Sequence, residues 1–307
     1  MRKRATAAAL TGALALSAFL VPAAAQAEGD STRSAVEQVR EARHAQGSKA
    51  SLRAAADGLP YDLGITFSGV KINNGKPIVA GISNKVSVPV TYTMTHAAGL
   101  DVTKDDFVSA LDIYRGTYDN PENVLTGDDW GVCTAKSATV AACTARIDIL
   151  PAVELWNADA TGWKAVVYAV DFNGQDPADP DFDQSQVGVS EKDQVATTKL
   201  QRFSKLTVNA SPEPVRKGRT ITVTGDLTRA NWDTGAYAGY SSQPVQLQFR
   251  KKTSSTYTTV KTVKSSATSR KLSTTVTASV DGYWRWNFAG TSTTPAVKTA
   301  GDFVDVR

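Results

Sequence analysis

The stretch Val86-Ser-Val-Pro-Val-Thr-Tyr-Thr-Met-Thr95 decides the fold. Val86, Val88, Val90, Tyr92 and Met94 stand opposite Ser87, Thr91, Thr93 and Thr95. Successive side chains of a strand point to opposite faces, so this period of two marks a strand with one face in a core. Upstream, Leu63, Ile65 and Phe67 alternate in the same way, and Gly69 predicts a bulge before Val70 and Ile72. Asn73-Asn74-Gly75 predicts a turn. Downstream, residues 107–114 and 146–150 predict further strands. Residues 163–172 are apolar on both faces, as in a central strand of a packed sandwich. No convincing helical period interrupts this region. Residues 59–203 therefore read as an all-β sandwich.

A second β unit starts near Lys205. Ile221, Val223 and Leu227 alternate with Thr220, Thr222, Thr224 and Asp226. Val245, Leu247 and Phe249 alternate with Gln246, Gln248 and Arg250. Leu272, Val276 and Ala278 follow, then residues 283–289 and 303–306. Trp284, Trp286 and Phe288 share one strand face and read as core, while Tyr283, Arg285 and Asn287 share the other. About seven strands in about 100 residues is the size of an immunoglobulin-like sandwich. The fold class expected is thus all-β, two tandem immunoglobulin-like sandwiches over 59–203 and 204–307.

The second unit also carries a resemblance. Lys217-Gly-Arg-Thr-Ile-Thr-Val-Thr-Gly225, Gln243-Pro-Val-Gln-Leu-Gln-Phe-Arg250, Thr259-Val-Lys-Thr-Val263, Asp281-Gly-Tyr-Trp-Arg-Trp286 and Phe288-Ala-Gly290 occur in that order. Together they resemble the bacterial immunoglobulin-like repeats of secreted and surface proteins. The resemblance covers residues 205–307 and implies a spacer, adhesion or binding module with no catalytic residues. The aromatic loop 232–240 departs from the commoner form, and the cysteine pair of antibody domains is missing.

Residues 1–27 read as a secretory signal. Arg2, Lys3 and Arg4 precede an apolar run, Pro22 breaks it, and Ala25-Gln26-Ala27 fits the small-x-small cleavage pattern. The expected localisation is secreted and extracellular, with no membrane span in the mature chain. Residues 28–58 are polar, charged and Ala-rich. Ser34-Ala-Val-Glu37 fits a capping box, but the stripe Val36, Val39, Ala42 is thin, so a disordered arm or frayed helix is expected. Whether it is a propeptide is left open. Between the sandwiches no Gly-, Pro- or Ser-rich spacer intervenes, which predicts end-to-end domains with little freedom.

The chain has 307 residues, two His and two Cys. That inventory excludes metal sites built from several of either. In an oxidising compartment Cys133 and Cys143 are expected to form a disulfide across a hairpin. Neither Gly-x-Ser-x-Gly nor a phosphate loop is present, and His44 and His96 stand in no nucleophile signature. No enzymatic activity is expected.

Two features point to ligands. Asp171, Asn173, Asp176, Asp179, Asp181 and Asp183 lie within a short loop, the composition of a weak extracellular calcium site. Gln184 and Ser190 stand where an EF-hand-type loop wants Gly and Glu, so a solvated acidic loop is the competing reading. Charge is also divided by domain. Residues 28–200 hold 15 Lys+Arg against 24 Asp+Glu, a net of −9, and residues 201–307 hold 16 against 6, a net of +10. The basic excess fits either docking to the acidic domain or an anionic partner. Arg250, Lys251 and Lys252, with the loop aromatics Trp232, Tyr237 and Tyr240, are the expected binding residues. The competing reading of the aromatics is that they plug the end of their own sandwich. The expected function is binding or adhesion in the extracellular space or cell wall. An anionic cell-wall polymer, a carbohydrate or a protein is the expected partner, and nucleic acid is not. The alternatives are a hydrolase or enzyme inhibitor working through the first domain, and an extracellular calcium-binding protein.

Overall fold

The computed structural model describes residues 23–44, 58–266 and 270–307, with side chains in the first helix from residue 31. The signal-peptide reading falls mostly on residues 1–22, outside the described residues. Helix α1 (Ala23–His44) comes first. Strands β1 (Tyr61–Asp62), β2 (Thr66–Ile72), β3 (Ile78–Ala80), β4 (Val86–Thr95), β5 (Phe107–Gly116), β6 (Pro121–Leu125), β7 (Val132–Ser137) and β8 (Val140–Ile149) follow. The short helix α2 (Pro151–Glu154) leads to β9 (Gly162–Asp171) and β10 (Gly188–Arg202). The second half holds β11 (Ser204–Leu206), β12 (Asn209–Ser211), β13 (Thr220–Asn231), β14 (Ala236–Gly239), β15 (Pro244–Lys251) and β16 (Thr258–Lys264). It ends with β17 (Lys271–Thr277), β18 (Gly282–Phe288), β19 (Val297–Lys298) and β20 (Asp302–Val304).

These strands make an all-β protein of two sandwiches. In the first, the sheet β1-β10-β9-β5-β6, with β3 also on β10, faces the sheet β2-β4-β8-β7. Val88, Val90, Tyr92 and Met94 of β4 point into the shared core with Leu111, Ile113, Ile147, Trp163 and Val167. The alternation of β4 therefore has the cause expected of it. The register of β2 against β4 shifts between Ser68 and Lys71, around Gly69 at φ +63°, as a bulge requires. In the second sandwich, β11-β13-β12, with β14 and β17 also on β13, faces β16-β15-β18-β19, with β20 on β18. Trp284, Trp286 and Phe288 lie in its core. The Trp286 indole N–H donates to the Thr224 carbonyl at 2.9 Å. A Cβ on Gly225 would come within 2.8 Å of that indole, so the close approach needs glycine there.

Of the segment 28–58 expected as a disordered arm or frayed helix, residues 28–44 belong to a docked helix, and residues 45–57 lie outside the described residues. Ala35, Val36 and Val39 of α1 are buried on Val108, Ala110, Tyr168, Val170, Phe172, Val187 and Val189, the outer face of the six-stranded sheet. Strand β9 is apolar on both sides because one face meets the sandwich core and the other meets α1. The thin stripe suffices because a charged anchor accompanies it. Arg40 stacks 3.7 Å above the Tyr168 ring and donates to Glu191 at 2.6 Å and to Tyr118 at 2.9 Å. Arg43 pairs with Asp62 at 3.1 Å, and His44 with Glu191 at 2.6 Å.

Candidate functional site

Cys133 and Cys143 are joined, as expected. They sit directly opposite one another on β7 and β8, with Cα atoms 4.1 Å apart. The bridge ties the outermost strand of the four-stranded sheet to its neighbour.

The acidic loop does not assemble as a cage. Asp171 is buried and takes Lys104 Nζ at 2.7 Å and the Asn173 N–H at 2.8 Å. Asp176, Asp179 and Asp183 each accept the backbone N–H two residues on, closing a local turn. Asp183 also takes the Ser185 hydroxyl, and these bonds hold its carboxyl below the usual range. Among the described residues no three His, Cys, Asp or Glu side chains converge to hold a metal ion.

The aromatic loop also goes elsewhere than to a partner. Trp232 is only 4% exposed and belongs to the core of the first domain. Its indole N–H donates to the Gly81 carbonyl at 2.6 Å, and its backbone N–H to Asn157 at 3.0 Å. Asn157 in turn donates to Asn231 and Asp233. Tyr237 packs edge-on against Phe203 beneath Lys205, and Tyr240 against Phe288 beneath Arg229. The three rings serve the domain junction and the second core. The hairpin β13–β14 is long enough to carry Trp232 across to the first sandwich. The junction contacts include the Trp232 indole, the Asn157 and Asn231 amides, the Asp233 carboxylate and Lys205 over Tyr237.

What remains open is the outer face of β16-β15-β18-β20. The inward set on β15 and β18 turns Gln246, Gln248 and Arg250 outward, opposite Asn287, Arg285 and Tyr283. Each facing pair interacts. Asn287 donates to Gln246 at 3.1 Å, Arg285 Nε donates to Gln248 at 2.8 Å, and the Arg250 guanidinium lies 3.8 Å over Tyr283. Tyr257 closes the group, 3.8 Å from the Arg285 guanidinium and 5.4 Å from that of Arg250. Phe303, opposite Tyr283 on β20, extends the aromatic row with ring centroids 5.1 Å apart. Lys252 reaches over Phe303 and lies 3.8 Å from Asp281, while Lys251 is exposed. Neither Arg250 nor Arg285 pairs with a carboxylate among the described residues. Both keep N–H groups to offer on a face already shaped by flat rings.

Of the expected binding residues, the structure groups Arg250, Lys251 and Lys252, buries Trp232 at the domain junction, and leaves Tyr237 and Tyr240 half-buried. It adds Tyr257, Tyr283, Arg285 and Phe303. The outward phase of Tyr283 and Arg285 was visible in the alternation of β18. Their pairing with β15 depends on register, which no single strand reveals.

No family model matches the chain, and no curated protein does. Solved structures similar to it include a chimeric titin Z1Z2 functionalized with a KLER exogenous peptide from decorin, at 10% identity over 79% of this chain and 96% of that one, TM-score 0.22. The Yersinia pseudotuberculosis adhesin InvE matches at 14% identity over 78% and 58%, TM-score 0.22. The full ectodomain of mouse nectin-like molecule 4 matches at 14% over 77% and 63%, TM-score 0.20. Among the described residues no helix is long and apolar enough to cross a membrane.

Proposed function

We propose that this is a secreted, non-enzymatic binding protein whose second domain holds an extended anionic polymer of the cell wall across the outer face of β16-β15-β18-β20. One observation carries the reading. Arg250 and Arg285 lie on the open sheet stacked against Tyr283 and Tyr257, without a carboxylate partner among the described residues. A guanidinium held flat on an aromatic ring keeps its edge N–H groups free for phosphate or carboxylate oxygens. Both guanidiniums neighbour one ring, Tyr257, at 5.4 Å and 3.8 Å, so they present adjacent positive charge to an anion. The half-exposed row of side chains across the strands suits a chain lying along the sheet better than an enclosed small molecule. Tyr257, Tyr283 and Phe303 add sugar-stacking surface that salt does not weaken.

Retention of the full mature chain on purified cell walls tests this. Retention should fall with added salt and fall again after acid extraction of the wall's phosphate-bearing polymers. Arg250→Gln with Arg285→Gln should weaken it about tenfold at low salt, and Tyr257→Ala should weaken it at every salt level. Equal retention by the double variant and the parent would refute the assignment.

A further inference from the structure

The first sandwich has an uncovered stretch of sheet edge. Strand β10 pairs with β1 at Gly188 and Val189, and with β3 from Leu200 onward. Between those contacts its register against β9 shifts from Lys192 to Ala196, around Gln194 at φ +52°, and is regular again over residues 196–199. The Leu200 N–H donates to Thr161, on the β9 side. Backbone groups of a strand alternate sides, so the Thr197 N–H and C=O point away from β9, where no strand of the described residues pairs with them.

A groove of about 630 Å³ opens along this edge, between residues 196–199 and residues 70–72 of β2, itself the edge strand of the other sheet. Lys71, Lys76 and Lys199 line it, all exposed, and none has an ion pair or a side-chain hydrogen bond among the described residues. Lys164 lines it too, with its Nζ donating to the Gly116 carbonyl at 3.1 Å. No carboxylate lines the groove, although residues 28–200 carry a net charge of −9. Three unpaired ammonium groups and an unpaired strand edge therefore share one accessible cleft in an otherwise acidic domain.

We infer that this groove takes an extended acidic segment of a partner peptide, paired with the free edge of β10 and with its carboxylates on Lys71, Lys76 and Lys199. The regular stretch of edge is about 13 Å long at about 3.3 Å per residue, room for about four paired residues. The two features select the occupant together. A polyanion without peptide groups would meet the lysines, but it would bring acceptors to the Thr197 carbonyl, which is an acceptor itself. A neutral strand would pair with the edge and leave the lysines without counter-charge. A second copy of this edge would bring its own lysines, and like charges along an edge oppose pairing. An acidic strand satisfies the backbone groups and the ammonium groups at once. The inference is independent of the polymer-binding face of the second domain.

The test is titration of the full mature chain, followed by NMR and calorimetry. The probes are a blocked pentapeptide of four glutamates around a central valine, the same peptide methylated at every backbone nitrogen, its lysine counterpart, and linear polyphosphate. The acidic peptide should saturate one site and shift the Thr197 and Lys199 amide signals. The methylated form, equal in charge, should bind about tenfold more weakly, and the lysine form should not bind. Lys71→Gln with Lys199→Gln should weaken the acidic peptide about tenfold with no change in melting temperature, because both side chains are exposed. Thr197→Pro removes the outward N–H at the kind of edge position where a strand takes proline, and should weaken binding severalfold without altering its salt dependence. The methylated peptide reads the same backbone contact on the unaltered protein, which covers the case of a disturbed β10. Equal affinity of the methylated and parent peptides, or polyphosphate shifting the same signals at equal affinity, would show a site for anions alone and overturn the inference. Full affinity in the lysine variant, or no saturable binding at millimolar peptide, would overturn it as well.

Discussion

Trp232 of the second domain donates its indole N–H to the carbonyl of Gly81 in the first, across 2.6 Å. The same side chain is buried among residues of the first core, and Asn157 holds its backbone. A single hairpin thus makes the two sandwiches share packing, and their stabilities should be coupled. Trp232→Ala should cost about 3 kcal/mol, the lower end for losing a buried Trp, and split one melting transition into two. Scanning calorimetry reads both effects. An unchanged single transition would mean that the contact does not couple the domains.

Removing the Arg40 side chain should be costlier than the small helix contact suggests. Arg40→Ala leaves Asp112 and Glu191 in the same buried site without their cation, a change worth about 3–5 kcal/mol. Burying Val36 and Val39 contributes roughly 2 kcal/mol each and cannot hold α1 against that loss. Hydrogen exchange over residues 31–44 should rise to the level of an undocked helix, while exchange in β15 and β18 stays unchanged.

The same cluster predicts an unusual pH profile. Burial raises the Asp112 carboxyl to about 6, above its ordinary 3.8, so the folded state binds that proton more tightly than the unfolded one. On this group's account, stability rises as pH falls from about 6 toward 4. Glu191 has the opposite sign. Burial pushes its carboxyl up, but Arg40, Tyr118 and His44 together hold it below its ordinary 4.5, so its contribution is lost as pH falls below that value. Denaturant melts at several pH values should therefore show a maximum between about 4 and 6, and Asp112→Asn should flatten the slope on its upper side.

The Cys133–Cys143 bridge closes a loop with a sequence separation of 10. Loop entropy values such a bridge at about 3 kcal/mol or slightly less. Cys133→Ser with Cys143→Ser should lower the denaturant midpoint accordingly without altering the fold. Thiol labelling of the parent without reductant should give no signal, and two labelled thiols per chain would show the bridge to be absent in solution.

In the acidic loop, Asp179 and Asp183 hold their own turns through the Asp181 and Ser185 backbone N–H groups. Millimolar calcium should leave the melting temperature unchanged. Asp179→Ala should lower stability slightly, by loosening the turn, with or without calcium. A calcium-dependent rise in melting temperature that this substitution removes would show the loop to be a metal site.

Much of the fold was legible because its signals are local. The alternation in β4, β15 and β18 follows from a sheet with one face in a core, and Gly69 and Asn73-Asn74-Gly75 mark chain geometry that neighbours impose on one another. The apolar character of residues 163–172 already announced two covered faces, but nothing nearby said what covers the second. Val36 and Val39 make too thin a stripe to announce docking, and Arg40 finds its counter-charges on strands 72 and 151 residues away. Trp232 looked like a free loop aromatic because its partner, Gly81, is 151 residues distant. Arg250 was visible as an outward cation, whereas its stacking on Tyr283 needed the β15–β18 register. Sequence by itself determined which faces are apolar, because burial is written into the strand period. Tertiary structure alone decided which apolar face meets which, and which charges stay unpaired, because those outcomes depend on contacts between segments that chain order does not connect.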